Sequence, residues 1–349
     1  MTSSTLVIYL FLLFSICIKA QSKHEYEIHT VAFYNLENLF HPENDPLTFD
    51  DDRTPNGKDH WTYEHYNHKI KNMARVISKI GAEKTKNAPV LIGVAEIENR
   101  KVLEDLTQDS AIQHQNYGII HKDSPDRRGI DVALLYQKRF FKPKNTQTHE
   151  LLLYNHQTGK RVYTRDQLVV SGYLDGDLIH LIINHWPSRR GGEKRSEYKR
   201  KKAAILNKKI VDSLWTENPY AKIIIMGDLN DNPKNKSVSR ILNAKKHQKD
   251  VDIKGLYNPM NLIAEKGIGS LAWEDKWSLF DQIIVSKELI QKEYDTYRYY
   301  KSGIFTSDQL ITKKGRFKGY PFRSFANGSY TGGYSDHFPV YMYLVKKIK

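Results

Sequence analysis

The chain has 349 residues, with 54 Lys or Arg against 40 Asp or Glu, a formal charge of +14 and one cysteine. A hydrophobic content of 40% can fill a sizeable core, and a lone thiol excludes a disulfide-stapled scaffold, so stability must come from packing. The length suits one large α/β domain or two small ones; the basic surplus either favours a polyanionic partner, such as nucleic acid, anionic polysaccharide or membrane headgroups, or serves only solubility.

The first twenty residues hold an apolar run, Leu6 to Ile18, closed by Lys19-Ala20. The run is short for a bilayer span and stands where a secretory signal stands. It predicts removal of residues 1–20 and release of 21–349 to the periplasm or the medium. Met1 to Thr5 lacks Lys and Arg, so an uncleaved signal anchor is the other reading, and Phe14-Ser15-Ile16 does not suit lipidation of Cys17. Residues 28–35 alternate as a strand. Pro42 to Asp59 is a turn-rich loop whose Asp50-Asp51-Asp52 triplet reads as solvated loop or as a calcium site. Tyr66, Ile70, Met73, Ile77 and Ile80 step by four and three along one helical face. Asn87-Ala-Pro89 then launches a strand from Val90 to Ala95.

Further strands are predicted at 117–121, 130–136, 168–174, 178–184, 222–226, 280–285 and 338–345, and helices at 100–107, 196–215 and about 235–246. Asp175-Gly176-Asp177 turns two of these strands into a hairpin. Hairpins mixed with crossover helices predict mixed sheets covered by helices, not an all-parallel doubly wound sheet. No repeat or break in composition divides 21–349, which predicts one domain.

Four polar strings stand where strands end: Glu96 in Gly93-Val-Ala-Glu96, Asn184-His185-Trp-Pro-Ser188, Gly227-Asp228-Leu-Asn230-Asp231 and Ser335-Asp336-His337. A sheet can gather such residues from distant sequence onto one rim. Hard oxygen donors with imidazoles, and no cysteine cluster, suit Mg²⁺, Mn²⁺ or Ca²⁺ and not structural zinc. The four strings together read as a divalent-metal phosphodiesterase site. That chemistry needs a cation on the nonbridging oxygens, a group that orients and deprotonates water, and donors for the pentavalent transition state. Each string alone has a plainer reading. Glu96 could cap the helix near Arg100, with Glu98 competing as ligand. Asp228 and Asn230 lie on one side of an extended chain, or form an Asx turn ahead of Pro233. Asp336 beside His337 tunes a proton acceptor or makes a loop hydrogen bond, and Asp281 and His185 are single polar residues at strand ends.

In this order the strings resemble the endonuclease/exonuclease/phosphatase superfamily, the group of pancreatic-type deoxyribonuclease and abasic-site endonucleases, from about Thr30 to Leu344. Asn35 in Phe33-Tyr-Asn35 resembles its first-strand asparagine and Glu96 its metal-binding glutamate, with Ala95 where glutamine is frequent. Asn184-His185, Gly227-Asp228-Leu-Asn230, Phe280-Asp281-Gln-Ile283 and Ser335-Asp336-His337-Phe-Pro339 resemble its later strings. The resemblance implies a four-layered α/β sandwich with two central mixed β-sheets flanked by helices, and metal-dependent attack of water on phosphate. It implies that Glu96, with Asn35 and Asp336 nearby, binds Mg²⁺, with Mn²⁺ or Ca²⁺ as options. Asp228 and Asn230 would orient water and phosphate, and His337 paired with Asp336 would be the base. His185, helped by Asp281, would stabilise the phosphate or protonate the leaving oxygen. Gly129 stands near where abasic-site enzymes place a catalytic tyrosine, which argues against DNA repair. Its neighbour Arg128 is a candidate phosphate contact, and Asp131 a further polar group of the site.

Two basic stretches could guide a polyanion. Residues 189–202 begin four residues after His185 and offer Arg189 and Arg190 as substrate contacts. Lys313 to Tyr334 mixes Lys, Arg, Phe and Tyr as a single-strand platform does. Both could instead be a solvated helix face and a packed loop. The favoured reading is an exported nuclease cutting DNA, with RNA as an option, with little sequence preference. It would act as a monomer without an obligate protein partner. Asn184-His185-Trp-Pro-Ser188 with Arg189-Arg190 also resembles secreted bacterial members of the superfamily. A phospholipid phosphodiesterase or inositol-phosphate phosphatase is the alternative, although no long exposed apolar hairpin is evident; a silent polyanion-binding domain is the third. Asn235-Lys-Ser and Asn327-Gly-Ser are glycosylation acceptors only in a eukaryotic secretory host.

Overall fold

Runs of aliphatic and β-branched residues that alternate between two apolar faces build two large sheets in the computed structural model, which describes residues 25–326 and 328–348. The proposed signal segment and Asn327 lie outside the described residues. The chain lays down β1 (Tyr26–Leu39), β2 (Leu91–Ile97), β3 (Tyr117–His121) and β4 (Asp131–Gln137). A continuous stretch then supplies β5 (Phe141–His149), β6 (Gln167–Leu174), β7 (Asp177–His185), β8 (Lys222–Asp228), β9 (Ala244–Lys245), β10 (Leu256–Tyr257) and β11 (Asp281–Ser286). β12 (Arg298–Ile304) and β13 (Val340–Lys347) return to the first sheet. The six-stranded order is β12-β13-β1-β2-β4-β3 and the seven-stranded order β9-β10-β11-β8-β7-β6-β5.

Both sheets are mixed. β1 runs parallel to β2 and antiparallel to β13; β8 runs parallel to β7 and antiparallel to β11. The C-terminal ends of the parallel pairs therefore meet the beginnings of their antiparallel neighbours at one rim, where Asn35, Glu96, His185, Asp228, Asp281 and His337 all fall.

Period-two alternation sends Val31 and Phe33 of β1, with Leu181, Ile183, Ile224 and Met226 of the other sheet, into the layer between the sheets. Ala32 and Tyr34 face the opposite way, onto α1 (Tyr63–Ile77) and α2 (Arg100–Gln108). Ile223, Ile225 and Ile284 pack against α3 (Glu193–Glu217) through Ala203, Ala204, Val211 and Trp215. The result is helix, sheet, sheet, helix, the four layers that the resemblance implied. Full burial of each large aliphatic side chain contributes about 1.5–3 kcal/mol, so the inter-sheet layer fixes how the two halves of the rim face each other.

The described elements depart from expectation at the 235–246 segment and in several strands. The helix expected near 235–246 is one π-type turn, Ser237–Ile241; Asn243 turns left-handed (φ 56°) and Ala244 enters the sheet as β9. β5 and β12 were not predicted, because both lie at sheet edges where solvent replaces the apolar alternation, and β10 and a hairpin at 271–278 are too short to show a period. Among the described residues no helix is long and apolar enough to cross a membrane.

Candidate active site

Backbone irregularities aim the rim residues. β1 and β2 each bulge where they reach the site, with register shifts between Asn35 and Leu39 and between Ala95 and Ile97. The bulges hold Glu37 (φ 48°), Asn38 (φ 56°) and Glu96 (φ 59°) in the left-handed region, which L residues adopt only when their surroundings enforce it. Asn230 is left-handed too (φ 50°), and Asp228 Oδ1 accepts its N–H at 2.9 Å. Of the two readings of Asp228-Leu-Asn230, the structure takes the Asx turn, and that turn locks the carboxylate. Gly227 permits the approach of β8 to β7, since a Cβ there would lie 2.3 Å from the Asn184 carbonyl oxygen. Glu96 caps no helix; Asn99 does, accepting from Val102 N–H at 3.2 Å.

Asp228, Asp281 and His337 form one buried cluster. His337 Nδ1 lies 2.6 Å from Asp281 Oδ2, and its Nε2 3.9 Å from both Asp228 Oδ2 and Asp336 Oδ1. His185 Nε2 is 3.7 Å from Glu96 Oε1 and from Asp228 Oδ2. Asn35 Nδ2 donates to Asp228 Oδ2 at 3.2 Å, and Asn230 Nδ2 to the Trp186 carbonyl at 2.9 Å. The pairing differs from expectation: Asp281 supports His337 and not His185, and Asp336 stands off from His337 and is held instead by Arg323 Nη2 at 3.3 Å.

Charge separates the two imidazoles. Burial lowers His185, and the nearby Arg165, Arg128 and His337 charges lower it further, so it stays neutral. Burial would also lower His337, but Asp281, Asp336 and Asp228 outweigh it and hold that imidazole well above its usual value. Burial lifts the Asp228 carboxyl to about 7; Asp281 and Glu96 add to the effect and His337 opposes it.

A hard cation has a suitable donor set here. Glu96 Oε2 accepts from Asn38 N–H at 3.1 Å while Oε1 is turned towards His185, and Asn35 Oδ1 accepts from Glu37 N–H at 2.9 Å with a second lone pair to spare. His185 Nδ1 and Asp281 Oδ1 are buried with no hydrogen-bond partner among the described residues, which marks the pocket as built for further polar contacts. None of the three acid and histidine clusters among the described residues able to hold a metal includes the Asp50-Asp51-Asp52 triplet, Glu96 or Asp336; Asp50 Oδ2 accepts from Asp45 N–H at 2.8 Å.

Of the expected substrate contacts, Arg128 is half-exposed, bound to Asp126 at 3.2 Å, and close enough for its charge to act on His185. Arg189 is committed to structure: it donates to the Asn230 carbonyl at 2.9 Å, pairs with Asp231 and Glu193, and covers the Phe280 ring at 4.5 Å. Arg190 is exposed and shares in none of the cluster's described hydrogen bonds. Asp131 pairs with His121 at 3.0 Å and with Ser124, one strand away from Glu96.

Several supporting residues escaped the sequence reading. Buried Arg165 donates to the His185 and Trp186 carbonyls at 3.2 and 2.7 Å and pairs with Asp126 at 2.8 Å. Lys69, lowered by burial to about 8, donates to the Glu37 carbonyl and to Ser324 Oγ. Glu37 pairs with Arg323 at 3.3 Å. Asn35-Leu-Glu37 repeats the polar-x-polar spacing of Asp228-Leu-Asn230, a signal that could have exposed Glu37; Arg165 and Lys69 carry no such mark.

The sequence from 30 to 346 matches the model of the Endonuclease/Exonuclease/phosphatase family. No curated protein matches it. Among solved structures, D. rerio TDP2 complexed with a single strand DNA product is similar at TM-score 0.53 and 12% identity, over 91% of this chain and 98% of that one. An endonuclease/exonuclease/phosphatase family protein from Bacteroides thetaiotaomicron gives 0.52 and 16%, covering 93% and 97%. The mannosyl-6-phosphatase of Bacteroides thetaiotaomicron VPI-5482 gives 0.51 and 16%, covering 92% and 100%. At these identities the likeness is one of fold, while the family match spans nearly the whole chain. The chain belongs to the Endonuclease/Exonuclease/phosphatase family, whose members are hydrolases of phosphate esters.

Proposed function

We propose that the chain is an exported, metal-dependent nuclease that hydrolyses phosphodiester bonds of DNA, with RNA as a second substrate, and shows little sequence preference. The observation that carries this reading is the convergence of Asp228, Asp281 and His337 with His185 and Glu96 on one rim, in a chain of net charge +14. Held by Glu96, Asn35 and Asp336, Mg²⁺, or Mn²⁺ or Ca²⁺ on the same oxygens, would neutralise the nonbridging oxygens and polarise the phosphorus. Asp228, fixed by Asn35 Nδ2 and Asn230 N–H, takes the proton of the attacking water; its raised affinity for protons suits that role. His337, charged because Asp281 stands behind it, donates from Nε2 to the phosphate. Neutral His185 adds a contact without adding charge, and half-exposed Arg128 meets the incoming backbone.

The test is nicking of supercoiled plasmid by purified protein with Mg²⁺, with EDTA and as His337→Ala. EDTA-sensitive nicking that falls about 10²-fold or more in the variant supports the reading. A second reading, a phosphatase or phospholipid hydrolase on the same scaffold, draws on the likeness to the mannosyl-6-phosphatase. Intact plasmid and RNA with Mg²⁺, Mn²⁺ and Ca²⁺ alike would overturn the nuclease in its favour.

A further inference from the structure

A short two-stranded hairpin, Leu271–Trp273 paired with Lys276–Ser278, stands immediately ahead of Asp281. It exposes Trp273 at 69% and Trp277 at 40%, on opposite faces because Trp273 pairs with Lys276 and Trp277 with Ala272, and turns through Glu274 and Asp275, both left-handed (φ 47° and 59°). The segment 312–322, which leads to Arg323, closes against that turn. Arg316 makes two bonds to Asp275, at 2.9 and 2.6 Å, and Tyr320 Oη donates to Asp275 Oδ1 at 2.8 Å while accepting its N–H at 2.7 Å. Phe317, 56% exposed, lies 5.6 Å from the Tyr320 ring, which lies 6.1 Å from Trp277.

This aromatic face is anchored to the catalytic cluster. Trp277 stacks on Phe338, next to His337, at 6.0 Å and 17°. Ser270, at the hairpin's base, bonds Asp281 through its hydroxyl and accepts Phe338 N–H at 2.7 Å. Lys276, Lys313, Lys314 and Lys318 of the hairpin and the facing segment are exposed; Lys313 pairs with Asp308 at 3.6 Å, and Asp275 binds Arg316.

We propose that the hairpin and the facing 312–322 segment form a stacking platform for unpaired bases of a single-stranded polynucleotide, beside the phosphate to be cleaved. The proposal rests on the nuclease reading and names the form of substrate that the site grips. An exposed indole presents a ring face on which any base can stack, so the grip is indifferent to sequence, and the lysines meet the backbone phosphates. A membrane is the other surface that a tryptophan-bearing hairpin could meet. Here the tip is Glu274-Asp275, and inserting it would strip water from two carboxylates, which favours the polynucleotide.

The experiment compares hydrolysis of oligo-dT and of bis(p-nitrophenyl) phosphate by the wild type, Trp277→Ala and Trp277→Phe. Trp277→Ala should lower the ratio of single-strand to small-diester kcat/KM by about tenfold, mainly through KM, and Trp277→Phe should restore most of it. Oligo-dT should quench the tryptophan fluorescence of the His337→Ala protein, and do so less when Trp277→Ala is added. An unchanged ratio in Trp277→Ala, with wild type cleaving oligo-dT, overturns the platform and leaves the nuclease standing. Wild type that hydrolyses the small diester but no polynucleotide overturns both. A blue-shifted emission on phosphatidylcholine–phosphatidylglycerol vesicles, without quenching by oligo-dT, overturns the platform in favour of a membrane contact.

Discussion

Asp281 Oδ2 meets both His337 Nδ1 and the Ser270 hydroxyl, while Oδ1 is buried without a partner among the described residues, and its charge is the largest influence that raises that imidazole. Asp281→Asn keeps the shape but removes the charge that holds His337 protonated. Plasmid-nicking kcat should fall about 10²–10⁴-fold with little change in KM and an unaltered circular dichroism spectrum. Asp166 offers a test away from the rim. Burial, then the charges of Glu150 and Asp131, raise its carboxyl to about 6, and its Oδ1 is buried with no partner among the described residues. Between about pH 4 and 6 the folded chain keeps a proton that the unfolded chain has lost, so stability falls as pH rises through that window. Asp166→Asn should therefore raise Tm at about pH 7.5 and leave it unchanged at about pH 4. Because the group is half-solvated, the gain should be no more than about 1 kcal/mol. At this scale the residues were legible and their pairings were not: 56 positions separate Asp281 from His337, and nothing in either string names the other.

α3 shows what an element can hide. Its inward stripe includes Arg200 and Asn207 as well as Ala203, Ala204, Val211 and Trp215. Arg200, fully buried, pairs with Asp231 at 2.7 Å, and Asp231 in turn takes Arg189 and Ser237; Asn207 bonds Asn184 at 2.8 Å, beside His185. The basic stretch that read as a guide for polyanion is thus partly the inner support of the loop after Asp228. Arg200→Ala leaves Asp231 buried with one cation fewer and should cost about 3–5 kcal/mol in urea unfolding. Replacing both partners, Arg200→Met with Asp231→Leu, should cost less than the single change. The long helix and the central strands were legible because their apolar periods are strong. The edge strands β5 and β12 and the 235–246 segment were not, since solvent or a left-handed asparagine settles them rather than hydrophobic period.

The whole molecule brings two sheets together at one rim, with Asn35, Glu96 and His337 at the six-stranded sheet and His185, Asp228 and Asp281 at the seven-stranded one. The resemblance carried this architecture, which composition and hairpins alone narrowed only to mixed sheets under helices. Its charge makes a separate prediction. Affinity for oligo-dT should fall linearly on a log–log plot against salt, by about tenfold or more between about 50 and 200 mM, while turnover of a small diester changes little. A flat plot would mean that the surplus charge serves solubility alone.

The order in which the chain visits the sheets has a consequence in time. The seven-stranded sheet is one continuous stretch, but the six-stranded sheet is left open after β4 and is completed only when β13 slots between β1 and β12. His337 arrives with that final strand. Closure of the six-stranded sheet and completion of the Asp228–Asp281–His337 cluster are therefore one event, because both wait for β13 to dock.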